Sequence, residues 1–149
     1  MKKLIQLTPL LLLLLSACND SAKEEEIKPA NGMDAASKFL RAALDGDYKK
    51  ARTYLVKDST NNQMFDIYEK DYNNNLPPED KKAYKTASIR FLKDTHEVND
   101  STTIVHYSNS YKNKPDSLKV IKINGEWFID LNFTFQPKDS IPKWSKTFW

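Results

Sequence analysis

Few residues in this chain have the type and spacing to do chemistry. The two histidines, His96 and His106, form neither an HxH nor an HxxxH pair, whereas a metal needs three or four converging ligands. His96 lies beside Asp94, Glu97 and Asp100 in a stretch that reads as a turn, and His106 shares a strand face with Ile104 and Ser108. Both read as surface histidines. No GxSxG, P-loop or dinucleotide-binding turn occurs, and three glycines are too few to build one. Acid–base work remains, and it needs a carboxylate in apolar surroundings with a tyrosine or second acid to hold an oxyanion. Asp66 sits inside the apolar run of Met64, Phe65, Ile67 and Tyr68, but helical spacing takes it off the 64/68/72 stripe and leaves it an exposed helix carboxylate. Asp130 alternates away from the face of Trp127 and Ile129 and reads as solvated. No catalytic, cofactor-binding or metal-binding residue is assigned, and no cofactor is expected.

The remaining reactive side chain is Cys18. A single cysteine forbids an intrachain disulfide and a CxxC-type zinc site. Its context is informative: Lys2 and Lys3 form a positive start, residues 4–15 are apolar except for Gln6, Thr8 and Pro9, and small Ser16 and Ala17 precede the cysteine. A membrane-spanning helix wants about 20 apolar residues, so residues 1–17 read as a removable secretory signal. Leu15-Ser16-Ala17-Cys18 resembles the bacterial lipobox, which implies a diacylglyceryl thioether on Cys18, cleavage before it and acylation of the new amine, commonly by palmitate. Burying acyl chains supplies about 0.8 kcal/mol per methylene, so the resemblance implies a membrane anchor and excludes Cys18 as a nucleophile. The expected location is the bacterial cell envelope at the outer membrane, with periplasmic and cell-surface faces both open.

Removing Lys2 and Lys3 from 23 basic residues leaves 21 against 20 acidic, a net of +1 for the mature chain. That balance, without a basic cluster, argues against nucleic acid as a partner. With 40% hydrophobic and 11% aromatic residues, the chain can build a core. Residues 18–32 hold the acidic run Glu24-Glu25-Glu26 with Pro29 and Gly32 and no apolar period, which reads as a flexible acidic tether. The acidic run serves solubility or, as its similarity to the surface-export signal of Bacteroidota lipoproteins suggests, sorting.

These features must be carried by a single domain over residues 33–135. Ala36, Phe39, Leu40, Ala43 and Leu44 have the i, i+3, i+4, i+7, i+8 spacing of a helix with one buried face. Gly46 suits its left-handed C-cap and Asp47 the N-cap of a second short helix carrying Tyr48, Ala51, Tyr54 and Leu55. Asp58-Ser59-Thr60 opens a third helix with Met64, Phe65, Tyr68 and Tyr72, closed by Asn73-Asn74-Asn75, and Pro77-Pro78 opens a fourth through Tyr84. The period then becomes two: residues 87–92, 102–111, 118–123 and 127–135 predict four strands, with Asn124-Gly125 as a tight type I′ hairpin turn. Helices followed by an antiparallel sheet predict an α+β fold, helices covering one sheet face.

The stretch from Phe39 through Leu44-Asp45-Gly46-Asp47-Tyr48 to Ala51, together with Ile123-Asn124-Gly125-Glu126-Trp127-Phe128-Ile129-Asp130, resembles the opening and closing motifs of a family of bacterial, Bacteroidota-type lipoproteins. Those belong to the nuclear-transport-factor-like (cystatin-like) superfamily. The resemblance implies a cone, a curved four-stranded antiparallel sheet wrapped around helices, with a pocket at its wide end. In that reading Gly46 is a helix break and Trp127 a core anchor. It implies no catalytic residues, although isomerases and dehydratases share the superfamily.

The tail, residues 136–149, holds Trp144, Phe148 and Trp149 with Lys143 and Lys146 between. Four strands are too few for an outer-membrane barrel, which needs about eight, so these aromatics either fold back onto the sheet or form a contact patch. The functional expectation is a non-enzymatic, lipid-anchored domain that binds a protein partner or a small apolar ligand; the alternative is a pocket enzyme of isomerase or dehydratase type.

Overall fold

The computed structural model describes residues 28–133. Cys18, most of the tether and the tail aromatics Trp144, Phe148 and Trp149 lie outside the described residues. Four helices come first, α1 (Gly32–Asp45), α2 (Tyr48–Thr53), α3 (Ser59–Asn75) and α4 (Pro78–Thr86). Five strands follow, β1 (Ile89–Phe91), β2 (His96–Asn99), β3 (Thr102–Asn109), β4 (Pro115–Ile123) and β5 (Glu126–Asp130), then a 3₁₀ turn at Leu131–Phe133. The fold is α+β, and no helix among the described residues is long and apolar enough to cross a membrane.

The helix ends follow from local chemistry. The Asn31 side chain accepts the Asp34 N–H at 2.8 Å and caps α1. At the other end Gly46, at φ 75°, donates to the Ala43 carbonyl at 3.1 Å, and Asp47 donates to Ala42 at 2.9 Å. This pair of bonds is a Schellman motif. Asp47 and Asp58 then cap α2 and α3 by accepting the N–H groups of Lys50 at 2.9 Å and Asn61 at 2.7 Å. Lys28 and Asn31, both in the stretch read as tether, contact the domain, Lys28 through an ion pair with Glu126 at 2.6 Å.

The sheet is antiparallel, in the order β1-β3-β4-β5, and β2 pairs with β3 beside β1. β1 faces residues 107–109 of β3 and β2 faces residues 102–104, so both lie on the edge opposite β4. The expected first strand, residues 87–92, is present as β1, and β2 is an additional short strand on the same edge, giving five strands in four tracks rather than four. His96 begins β2 instead of lying in a turn. Asn124 and Gly125, at φ 50° and 86°, form the β4–β5 hairpin turn with the two positive angles a type I′ turn requires. Residues 54–56 cover the outer edge of β5, with Ile129 N–H donating to the Tyr54 carbonyl at 2.8 Å and Val56 N–H to Ile129 at 3.0 Å.

One core lies between the helices and one sheet face. Ala35, Ala36, Phe39 and Leu40 of α1 meet Val105 and Tyr107 of β3, Leu118 and Val120 of β4, and Ile129 of β5, with Phe65 of α3 beneath. Trp127 corrects the core-anchor expectation: it is half-buried and packs on the core from its rim. It faces Lys122 across the hairpin, whose ammonium stands 5.5 Å from the ring centroid.

Candidate functional site

The helix–sheet layer leaves a cavity of about 110 Å³ at one end. Its walls follow from the same periodicities that build the core. Phe39, Leu40, Ala43 and Leu44 come from one face of α1, and Phe65, Tyr68 and Tyr72 from α3 at three- and four-residue spacing, with Leu76 just past its end. Tyr48 of α2 and Tyr84 of α4 close the sides, and Tyr107, Asn109 and Asp116 rise from the sheet. The rings form a continuous wall. Centroids are 5.8 Å apart for Phe39–Phe65, 5.4 Å for Tyr48–Phe65, 5.2 Å for Tyr48–Tyr72 and 6.2 Å for Tyr72–Tyr84.

Asp116 is the polar focus. It lies in phase with Leu118 and Val120 on β4, so the pleat that buries those residues also turns its carboxylate towards the helices. Oδ1 accepts the Ser117 N–H at 2.7 Å, and Oδ2 accepts the Tyr107 hydroxyl at 3.4 Å. Burial pushes its pKa up to about 7, against the pull of the Ser117 N–H, the Lys112 charge and the Tyr107 hydroxyl. Burial raises Tyr84 to about 12 and holds Tyr48, Tyr68 and Tyr107 above the ordinary tyrosine value as well, so all four are neutral hydroxyls near pH 7. Burial also lowers Lys112, which the charge of Asp116 partly restores. Asp71, the other carboxylate of the lining, accepts from Asn75 at 2.7 Å.

The carboxylates singled out in the sequence lie elsewhere. Asp66 is exposed, and pairs with Arg52 at 2.8 Å in a bridge that also holds Glu69 at 2.8 Å and joins α2 to α3. Asp130 corrects the solvated expectation: it is only 9% exposed, and its Oδ2 meets Lys119 at 3.1 Å across the β4–β5 pair. His106 is likewise not a surface residue. It is 4% exposed, and its Nδ1 lies 2.6 Å from Ser117 Oγ. Its ring stands 5.8 Å from that of His96, and Asp94 Oδ2 is 4.0 Å from its Nε2. No group of three or more His, Cys, Asp or Glu side chains suited to a metal occurs among the described residues.

Asp116 escapes the sequence reasoning because the third apolar run begins at Leu118. Carrying its two-residue period back by one step places Asp116 on the buried face, and that was the available signal. Comparison of the chain with family profiles, with curated proteins and with solved structures finds no match.

Proposed function

We propose that this chain is a lipid-anchored protein of the bacterial cell envelope, held at the outer membrane by acyl chains on Cys18, whose domain binds a small ligand without transforming it. The observation that carries the binding function is the tyrosine-walled cavity with one carboxylate at its focus. Ligand pockets combine an apolar lining with a few polar groups that set orientation, and rings supply contact area while Asp116 and the tyrosine hydroxyls supply direction. The anchor rests on the lipobox-like residues 15–18, and the curved, cone-like form of the α+β layer rests on the family resemblance of residues 39–51 and 123–130. The tail aromatics Trp144, Phe148 and Trp149 are proposed as a second contact, for a protein partner.

Two measurements test this reading. Mass spectrometry of the membrane fraction should find a mature amino terminus at Cys18 carrying acyl mass, with Cys18→Ala giving an uncleaved or mis-cleaved precursor; an unmodified amino terminus elsewhere overturns the anchor. A fragment screen read by NMR should move the Tyr68, Tyr72 and Tyr107 ring signals together. A library that leaves all three unmoved overturns the pocket.

A second reading is favoured by one feature. A carboxyl group of pKa about 7 beside a tyrosine hydroxyl has the properties of a general acid–base pair, which fits an isomerase or dehydratase. Turnover of a ligand found in the screen, abolished by Asp116→Asn, would select this reading over simple binding.

A further inference from the structure

We propose that the ligand of this pocket is a small organic ammonium ion, enclosed by the tyrosine wall and neutralised by Asp116. The inference deepens the binding function proposed above and rests on it.

Three observations converge on this charge and this kind of surface. Among the lining residues the charged groups are two carboxylates, Asp71 and Asp116, against one ammonium, Lys112, so an anionic occupant meets net repulsion. A neutral apolar occupant would desolvate Asp116 further and offer it nothing in return. The rings that enclose the space have faces that attract cations, and two of them already hold one. Lys81 Nζ stands 5.3 Å from the Tyr72 centroid, and the Arg52 guanidinium 5.1 Å from that of Phe65.

The same surroundings argue against a bare metal cation. A hard divalent ion asks for six or more oxygen ligands, and the described residues present no group of three or more candidate side chains. An alkylammonium suits the site better, because its methyl or methylene skin can lie on the rings while its charge faces the carboxylate. A cavity of about 110 Å³ has room for such a head group.

Asp116 binds best when ionised, which gives the site a pH dependence. The groups facing it are the Tyr107 hydroxyl from β3, Tyr68 from α3, Tyr84 from α4, Lys112 from the loop before β4, and the Ser117 N–H from β4 itself. The tyrosines stay neutral from pH 6 to 8, so ionisation of Asp116 makes affinity rise with pH, and any loss of the Lys112 proton, which burial loosens, acts in the same direction.

Calorimetric titration of the full-length protein with choline and with 3,3-dimethylbutan-1-ol tests this, since the two share a shape and differ by the charge. The expected result is choline binding that tightens from pH 6 to 8 and is at least about tenfold stronger than that of the alcohol. Asp116→Asn should lose about tenfold for choline and little for the alcohol, with an unchanged fold by circular dichroism. Equal binding of the two compounds overturns the ammonium inference and leaves the pocket function standing; binding of neither overturns the inference as well. Should Asp116→Asn fail to fold, the wild-type pH series decides, and a flat profile between pH 6 and 8 counts against Asp116. Phosphatidylcholine vesicles that displace choline would place the ammonium on a lipid, and vesicles that do not would place it on a soluble compound; both results keep the class.

Discussion

The Asn61 side chain and the Leu131 backbone, 70 positions apart, are joined by a buried hydrogen bond: Asn61 Oδ1 accepts the Leu131 N–H at 2.7 Å. Asn61 is 0% exposed and its Nδ2 donates to Asp58 Oδ2 at 2.9 Å, so both ends of the amide are used. The bond ties the first turn of α3 to the residue that follows β5 and also lines the cavity. Asn61→Ala would leave the Leu131 N–H buried without that acceptor, at a cost of about 1–3 kcal/mol. Urea unfolding should show the loss, with Asn62→Ala on the exposed side of the same turn as the near-neutral comparison.

Gly46 is required for two independent reasons. Its φ of 75° is strained for any residue with a Cβ, and that Cβ would stand 2.8 Å from the Tyr72 hydroxyl. Gly46→Ala should therefore destabilise the domain by about 1–2 kcal/mol from the backbone alone and displace Tyr72 in the pocket wall. Gly125→Ala separates the two causes. It shares the positive φ but has no atom within 4 Å of the added Cβ, so it should cost stability without moving the Tyr72 ring signal.

Trp127 and Leu118 should rank opposite to their sizes. Leu118 is completely buried, and Leu118→Ala should cost about 2–5 kcal/mol. Trp127 is half-buried beneath Lys122, so Trp127→Ala should cost less than the 3–5 kcal/mol of a core tryptophan. Paired denaturation curves check the order, and a larger loss at Trp127 would place that ring deeper than the rim.

Two buried groups give stability opposite slopes with pH. The Asp116 carboxyl has a folded pKa of about 7 against an ordinary 3.8, so the folded state holds its proton longer. Stability from this group falls as pH rises from about 4 to about 7 and is level above. His106 has its pKa lowered from 6.5 by burial, so the unfolded chain takes the proton first. Stability from His106 falls as pH drops below 6.5. Asp116→Asn should therefore gain on the wild type at pH 8 and match it at pH 4, measured as the difference in unfolding free energy at each pH.

The sequence by itself determined the α+β order of elements, because each signal for it is local. The apolar stripe of α1, the Gly46 stop, the Asp47 and Asp58 caps and the Asn124-Gly125 turn act within a few residues, and backbone geometry allows each few alternatives. Alternation likewise placed Val105, Tyr107 and Ile129 on one face. Tertiary structure decided what covers a face and how much. His106 and Asp130 follow strand alternation to the outer side, yet the first is buried with Ser117 and His96 beside its ring and the second pairs with Lys119. Trp127 follows it to the inner side, yet is only partly buried, packed against the core with Lys122 over its ring. The pocket is the strongest case. Asp116 gains its raised pKa from burial against residues of α3 and α4, segments that precede it by tens of residues, and keeps it against the opposing pull of Lys112 and Tyr107. Desolvation depends on which surfaces meet, and periodicity specifies only which way a side chain points.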